Sequence, residues 1–310
     1  MRNVLVVTHT GRADALSAAQ EVCGALIAAG VNPVMTRIEL EDHNRFANEQ
    51  VSPHASLEGV KVLGEDVEPA ALELAMVLGG DGTILKAAEI VREAQTPLLG
   101  INLGHVGFLA ESERDGLTDA VRRVVEKDYV VKERLALDVT VFVEGKEAFK
   151  TWALNEAAIE KSARERMLEV VLEIDQRPLS SFGCDGVVVA TPTGSTAYSF
   201  SAGGPVVWPS VEALLVVPIS AHALFARPLV VSPKSLIAVE VMERSAGSGV
   251  LWCDGRRTWE LAPGARVEVK RSPAPVRIAR FRQGVFTDRL VRKFSLPVIG
   301  WRGHEGGETK

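Results

Sequence analysis

Val77-Leu78-Gly79-Gly80-Asp81-Gly82-Thr83-Ile84-Leu85 is an apolar run that breaks into three glycines around one carboxylate and then resumes at helical spacing. Leu74, Met76, Val77 and Leu78 read as a short buried strand, while Ile84, Leu85, Ala88 and Val91 recur on one face of a helix. The glycines therefore stand at a strand-to-helix turn, where bare backbone N–H groups and the positive end of a helix can approach an anion. A phosphate suits that turn. A carboxylate would repel it, so Asp81 belongs there either as a helix cap, a role open to Thr83 as well, or as a group that acts on a second reactant.

Outward from this turn, Asn3 to Val7 is a strand, and Leu16, Ala19, Cys23 and Leu26 mark a helix that Gly30 is suited to end. Strands follow around Val34 and from Leu98 to Ile101. Strand-helix-strand repetition implies a parallel sheet with helical crossovers. The polar stretch 37–59 reads as a mobile flap or a poorly packed helix, and composition does not separate the two. His9-Thr10-Gly11-Arg12 follows the first strand on the edge where open α/β sheets take ligands, and reads as a surface turn.

From about Val130 the pattern changes to short alternating stretches with Gly and Pro between them, such as Val139–Val143, Leu168–Ile174, Val187–Ala190 and Leu236–Val241. Near the end, Phe286, Leu290, Val291 and Phe294 return to helical spacing, and Gly303–Lys310 reads as a frayed tail. The expected division is an α/β domain of residues 1–129 plus 286–310 and a β-rich, sandwich-like domain of residues 130–285, the last helix packing back on the first domain.

A chain of 310 residues, 46% hydrophobic and 24% charged, is globular and long enough for two domains. Its formal charge of −5 and scattered Lys and Arg exclude a broad nucleic-acid footprint. Apolar runs such as Leu214–Val217 fall far short of the ~20 residues that span a bilayer, and Met1–Val7 opens as a strand without a secretory signal. Cys23, Cys184 and Cys253 stand far apart in an odd set, as in a reduced, cytoplasmic protein. Histidine and cysteine spacings give no metal site.

A second dense stretch is Asp185-Gly186-Val187-Val188-Val189-Ala190-Thr191-Pro192-Thr193-Gly194-Ser195-Thr196-Ala197-Tyr198, followed by Ser201. Hydroxyls and bare backbone at a strand end suit a polyhydroxylated ligand, although an ordinary turn-rich connection has the same composition. Together with the glycine turn and Asn155-Glu156, in this order and at these separations, the stretch resembles the NAD kinase family. Leu103-Gly104-His105-Val106-Gly107-Phe108-Leu109 and His222–Leu229 are similar to further family segments, so the likeness runs from Leu74 to Arg289. Diacylglycerol kinases, sphingosine kinases and phosphofructokinases carry related glycine-Asp loops. Thr191–Tyr198 separates this family from those.

The resemblance implies a Rossmann-like N-terminal domain followed by the β-rich one. It also implies transfer of the γ-phosphoryl group of ATP, or of polyphosphate, to the 2′-hydroxyl of the adenosine ribose of NAD. Asp81 would be the general base. Gly79, Gly80, Gly82 and Thr83 would meet the transferring phosphate, with Lys86 aimed at it or solvated on the helix face. Asn155 and Glu156 would hold the adenosine and second ribose, the carboxylate accepting from paired sugar hydroxyls. Arg166 would contact the dinucleotide phosphates unless it belongs to a solvated cluster with Arg164 and Glu165. Asp185, Thr196, Ala197, Tyr198 and Ser201 would line the NAD side, Tyr198 having a core-aromatic alternative. Mg²⁺ or another divalent cation would arrive with the phosphoryl donor. Partners would be these small molecules and a second or further copies of the chain, as a homodimer or homotetramer, with neither nucleic acid nor membrane. The chain departs from the family at Arg256, where Gln is frequent, and at Ala221, where Pro is.

Overall fold

The computed structural model describes residues 2–9, 13–49, 57–104, 107–110, 112–113, 116–162, 166–281 and 286–298. Thr10–Arg12, His105, Val106, Arg164, Glu165 and the tail from Gly303 lie outside these. The chain forms two compact units, one built from residues up to Lys132 and from Arg277 onward, the other Glu133–Val276.

The first unit opens with β1 (Asn3–Thr8), α1 (Ala13–Ala28), β2 (Asn32–Met35), α2 (Arg37–Glu49) and β3 (Lys61–Val62). It continues with β4 (Leu74–Leu78), α3 (Asp81–Val91), β5 (Leu98–Asn102), β6 (Ser112–Glu113), α4 (Leu117–Glu126) and β7 (Val130–Arg134). Twelve strands, a 3₁₀ turn (Gly194–Thr196) and one short α-helix follow among the described residues: β8 (Leu137–Val143), β9 (Lys146–Ala153), β10 (Glu156–Lys161), β11 (Leu168–Ile174), β12 (Arg177–Cys184), β13 (Gly186–Ala190) and α5 (Tyr198–Ser201). Then come β14 (Leu214–Ile219), β15 (Leu229–Val231), β16 (Ile237–Val241), β17 (Gly249–Cys253), β18 (Arg257–Leu261) and β19 (Arg266–Arg271). The chain closes with β20 (Val276–Arg280) and α6 (Phe286–Phe294).

In the first unit the sheet order is β3-β2-β1-β4-β5-β20-β7, with β6 beside β5, and β2, β1, β4, β5 and β20 run parallel. Val4–Val7 and Leu74–Leu78 are buried throughout, as required of strands covered on both faces. α1 supplies one cover: Ala15, Ala19, Val22, Cys23 and Leu26 share a core with Val4, Val6 and Met76. The strand order reverses between β1 and β4, where Thr8 stands opposite Leu78. Open α/β sheets place ligands at the carboxyl edge of such a reversal, and Gly79 is the next residue.

Residues 37–49 form a helix and no flap, with Glu39 and His43 buried. α4 is an element the sequence reading passed over, although Leu117, Ala120, Val121 and Val124 recur at helical spacing and are buried.

The second unit consists of two antiparallel sheets, β15-β14-β13-β10-β17-β18 and β12-β11-β16-β19-β8-β9. Leu137, Val139 and Val141 from one sheet and Ile159, Val187 and Val189 from the other enter a common core, the arrangement of a sandwich. The expected boundary at 285/286 differs from the structure, because β20 lies in the parallel sheet between β5 and β7. Its Val-Arg-Ile-Ala-Arg sequence alternates like the sandwich strands, so only pairing reveals where it belongs.

Candidate active site

Gly80 is the N-cap residue of α3, and no side chain caps the helix. Neither Asp81 nor Thr83 takes that role. Asp81 occupies the first turn, and its carboxylate accepts two backbone hydrogen bonds from across the loop, Phe108 N to Oδ2 and Leu109 N to Oδ1, each at 3.1 Å. Gly107 makes this approach possible, since a Cβ there would stand 2.5 Å from Asp81 Oδ1. Gly79 is required for another reason: a Cβ would meet Thr83 Oγ1 at 2.5 Å. Added Cβ atoms at Gly80 and Gly82 would point into open space, leaving the turn's outer side bare.

Lys86 is partly exposed and engaged in an ion pair. Its Nζ lies 2.8 Å from Oε1 of Glu39, whose side chain is 0% exposed while that of Lys86 is 35% exposed. Thr36 donates its hydroxyl to the other Glu39 oxygen at 3.0 Å. The cation thus ties α3 to α2.

In the second unit Asn155 and Glu156 lie at the start of β10, both buried. Their turn is held from several directions. Asp254, in the left-handed region at φ +54° between β17 and β18, accepts from the amides of Leu154 (2.9 Å), Asn155 (2.7 Å) and Glu156 (3.3 Å). Arg257 Nη2 donates to the same carboxylate at 2.9 Å. Thr191 donates its hydroxyl to Leu154 O at 2.6 Å, and Gly194 packs so closely that a Cβ would stand 2.0 Å from Asn155 O.

Burial, then the nearby Asp254 charge, pushes Glu156 up to about 8, against a backbone hydrogen bond from Tyr198. Its Oε2 is buried without a hydrogen-bond partner among the described residues. Burial thus favours the protonated form of this side chain, in which it can donate as well as accept.

Tyr198 is 37% exposed, so it is no core aromatic, and its hydroxyl donates to Glu160. Burial and that hydrogen bond push its phenol up to about 12. Thr196 donates its hydroxyl to Thr193 O at 3.3 Å, while Ala197 is half-buried and Ser201 exposed. Ser195 is structural: its buried hydroxyl donates to Pro192 O at 2.7 Å and accepts from Val207 N at 2.9 Å. Asp185 pairs with Lys161, which holds its carboxyl below the usual range. Arg166 is exposed and donates to Ala246 O at 2.6 Å. Arg256 is an exposed residue of the β17–β18 turn.

The structure thus joins Asp81 with Gly79, Thr83 and the Gly107–Leu109 backbone in one unit, and Asn155, Glu156 and Tyr198 in the other. Sequence reasoning missed Gly107 as a partner of Asp81 and missed Asp254. The available signal for the latter was Cys253-Asp254-Gly255, an acid and a glycine between two strands. All three cysteines are buried free thiols, pushed up to about 12 chiefly by burial, and are inert as nucleophiles.

The ATP-NAD kinase N-terminal domain matches residues 4–129 and the ATP-NAD kinase C-terminal domain residues 154–281. An NAD kinase of Leifsonia xyli subsp. xyli is 62% identical over 305 residues, covering 98% of each chain. NAD kinase 2 of Streptomyces coelicolor is 55% identical over 306 residues, 98% of this chain and 97% of the relative. Among solved structures, yeast NADH kinase complexed with NADH superposes with a TM-score of 0.81 at 22% identity, covering 100% of this chain and 90% of that one. An NAD kinase from Archaeoglobus fulgidus in complex with ATP gives 0.70 at 23% identity, covering 96% and 100%.

Proposed function

The chain belongs to the NAD kinase family, and we propose that Asp81 is the general base of its reaction. The enzyme transfers the γ-phosphoryl group of ATP to the 2′-hydroxyl of the adenosine ribose of NAD, yielding NADP. An alcohol is a weak nucleophile, and a carboxylate that accepts its proton as the bond to phosphorus forms accelerates transfer by typically ~10²–10⁴-fold. The observation that carries the assignment is the seating of Asp81. Two amides fix its carboxylate on a glycine turn whose Gly80 and Gly82 sides are open. Held there, it can meet a hydroxyl without the turn closing over it.

Gly79, Gly80, Gly82 and Thr83 would present backbone to the transferring phosphate. No cluster of three or more His, Cys, Asp or Glu side chains suited to a metal exists among the described residues. A divalent cation would arrive on the donor's phosphates, where it neutralises charge. Asn155, Glu156, Asp185, Thr196, Ala197, Tyr198 and Ser201 form the NAD-binding assignment. Lys86 and Arg166 are left out of it, since Glu39 and the Ala246 carbonyl engage their side chains. We further assign the enzyme to the cytoplasm, on its three free thiols, and to a homodimer or homotetramer, on the open edges of its antiparallel sheets.

Asp81→Asn tests the base. Circular dichroism and NAD binding by calorimetry should be unchanged while turnover falls by at least ~10². Turnover within a few-fold of the native enzyme would remove Asp81 from the role.

A further inference from the structure

Both donors to Asp81 belong to a backbone segment that α6 holds. The Phe108 ring lies against those of Phe286 and Phe294, with centroids 6.2 and 5.7 Å away and planes tilted by 41° and 47°. Between those two aromatics in sequence, Arg289 donates from Nη1 to the Phe108 carbonyl oxygen at 3.1 Å. That carbonyl and the Leu109 N–H are the two ends of one peptide unit. Leu109 N–H is the donor to Asp81 Oδ1. A cation on the carbonyl end draws electron density through the amide and strengthens its N–H as a donor, because hydrogen bonds in series polarise one another. Guanidinium, peptide and carboxylate thus form one chain, and Gly107 leaves the space in which the carboxylate completes it.

The geometry points to Arg289 as a positioning residue for phosphoryl transfer: through the Phe108–Leu109 peptide, α6 sets the orientation of the Asp81 carboxylate. This rests on the assignment of Asp81 as general base. Arg289 acts on no reacting atom in this scheme, so its loss should lower kcat and leave substrate binding alone.

The test uses the full-length enzyme. Arg289→Met keeps much of the side chain's bulk and removes the donors. It should lower kcat by roughly 10- to 100-fold, the scale of a small misplacement at a reacting centre. KM for NAD and for ATP should stay within about twofold. Arg289→Lys, which can still donate, should recover part of the loss, and Lys293→Met, an exposed residue of the same helix, should match the native enzyme. The decisive arm is the double variant. Once Asp81→Asn has removed the base there is nothing left to orient, so adding Arg289→Met should slow turnover no further.

A kcat for Arg289→Met within about twofold of native, or the same fold-loss in both backgrounds, overturns the inference. If Arg289→Met does not fold, Phe294→Leu, which loosens the Phe108 contact and leaves the guanidinium, carries the same expectation of loss in the native background alone. Should Asp81→Asn itself turn over at near-native rate, the failure lies with the general-base assignment and not with Arg289.

Discussion

Glu156 is a carboxyl group whose protonated form the fold favours. Its surroundings are burial, the Asp254 carboxylate, the Arg257 guanidinium on that carboxylate, and the Tyr198 amide. The consequence for stability has a definite sign. A pKa of about 8 in the native state, against an ordinary value of 4.5, means that the folded protein holds a proton which the unfolded chain releases. The stabilisation is complete below the unfolded pKa and is lost as pH rises through 8. Thermal midpoints of the native protein should therefore fall between pH 6 and pH 9, and Glu156→Gln, which mimics the neutral acid, should flatten that decline. Parallel curves in scanning calorimetry would contradict it. Sequence inspection found Asn155-Glu156 but not the upward shift of the Glu156 carboxyl, because its causes are burial first and then Asp254, about a hundred residues away. Burial and long-range neighbours set a pKa, and neither is written locally.

At the scale of elements, α2 and α3 are joined by one charged pair in which Glu39 is wholly buried and Lys86 partly so. Removing the cation alone leaves a carboxylate in the interior. Lys86→Met should thus cost about 2–4 kcal/mol, below the range for a fully buried pair because Lys86 keeps some solvent, whereas Glu39→Gln should cost less. Urea unfolding of both variants checks this, and equal, small losses would show that the pair contributes nothing particular. The same pair explains why the sequence left α2 undecided between a flap and a poorly packed helix. Its fully buried described positions are Glu39 and His43, while Ile38 is exposed and Leu40 only partly buried against the core, so hydrophobic periodicity is weak there. By contrast β4, α3 and α6 were legible from their apolar spacing. The Asp81 turn was legible as a turn, though not as a carboxylate bound by the amides of Phe108 and Leu109, since sequence separation hides which loop crosses which.

Across the whole molecule, the second unit is one uninterrupted stretch with a core drawn from both of its own sheets. Residues 133–276 expressed alone should unfold cooperatively in urea with a β-type circular dichroism spectrum, while a non-cooperative, gradual loss of signal would show that this core does not suffice. Alternation and turn residues announced the sandwich; they did not announce that β20 leaves it. That strand sits between β5 and β7 in the parallel sheet, and this has a bearing on how the protein is born. While the ribosome is still making the 133–276 stretch, β7 has emerged but the strand that must separate it from β5 does not yet exist. At ~5–20 residues per second the wait is roughly 7–30 s. During it the nascent α/β sheet has an unfinished rim, and the later-synthesised sandwich is free to mature before the earlier-synthesised domain can close.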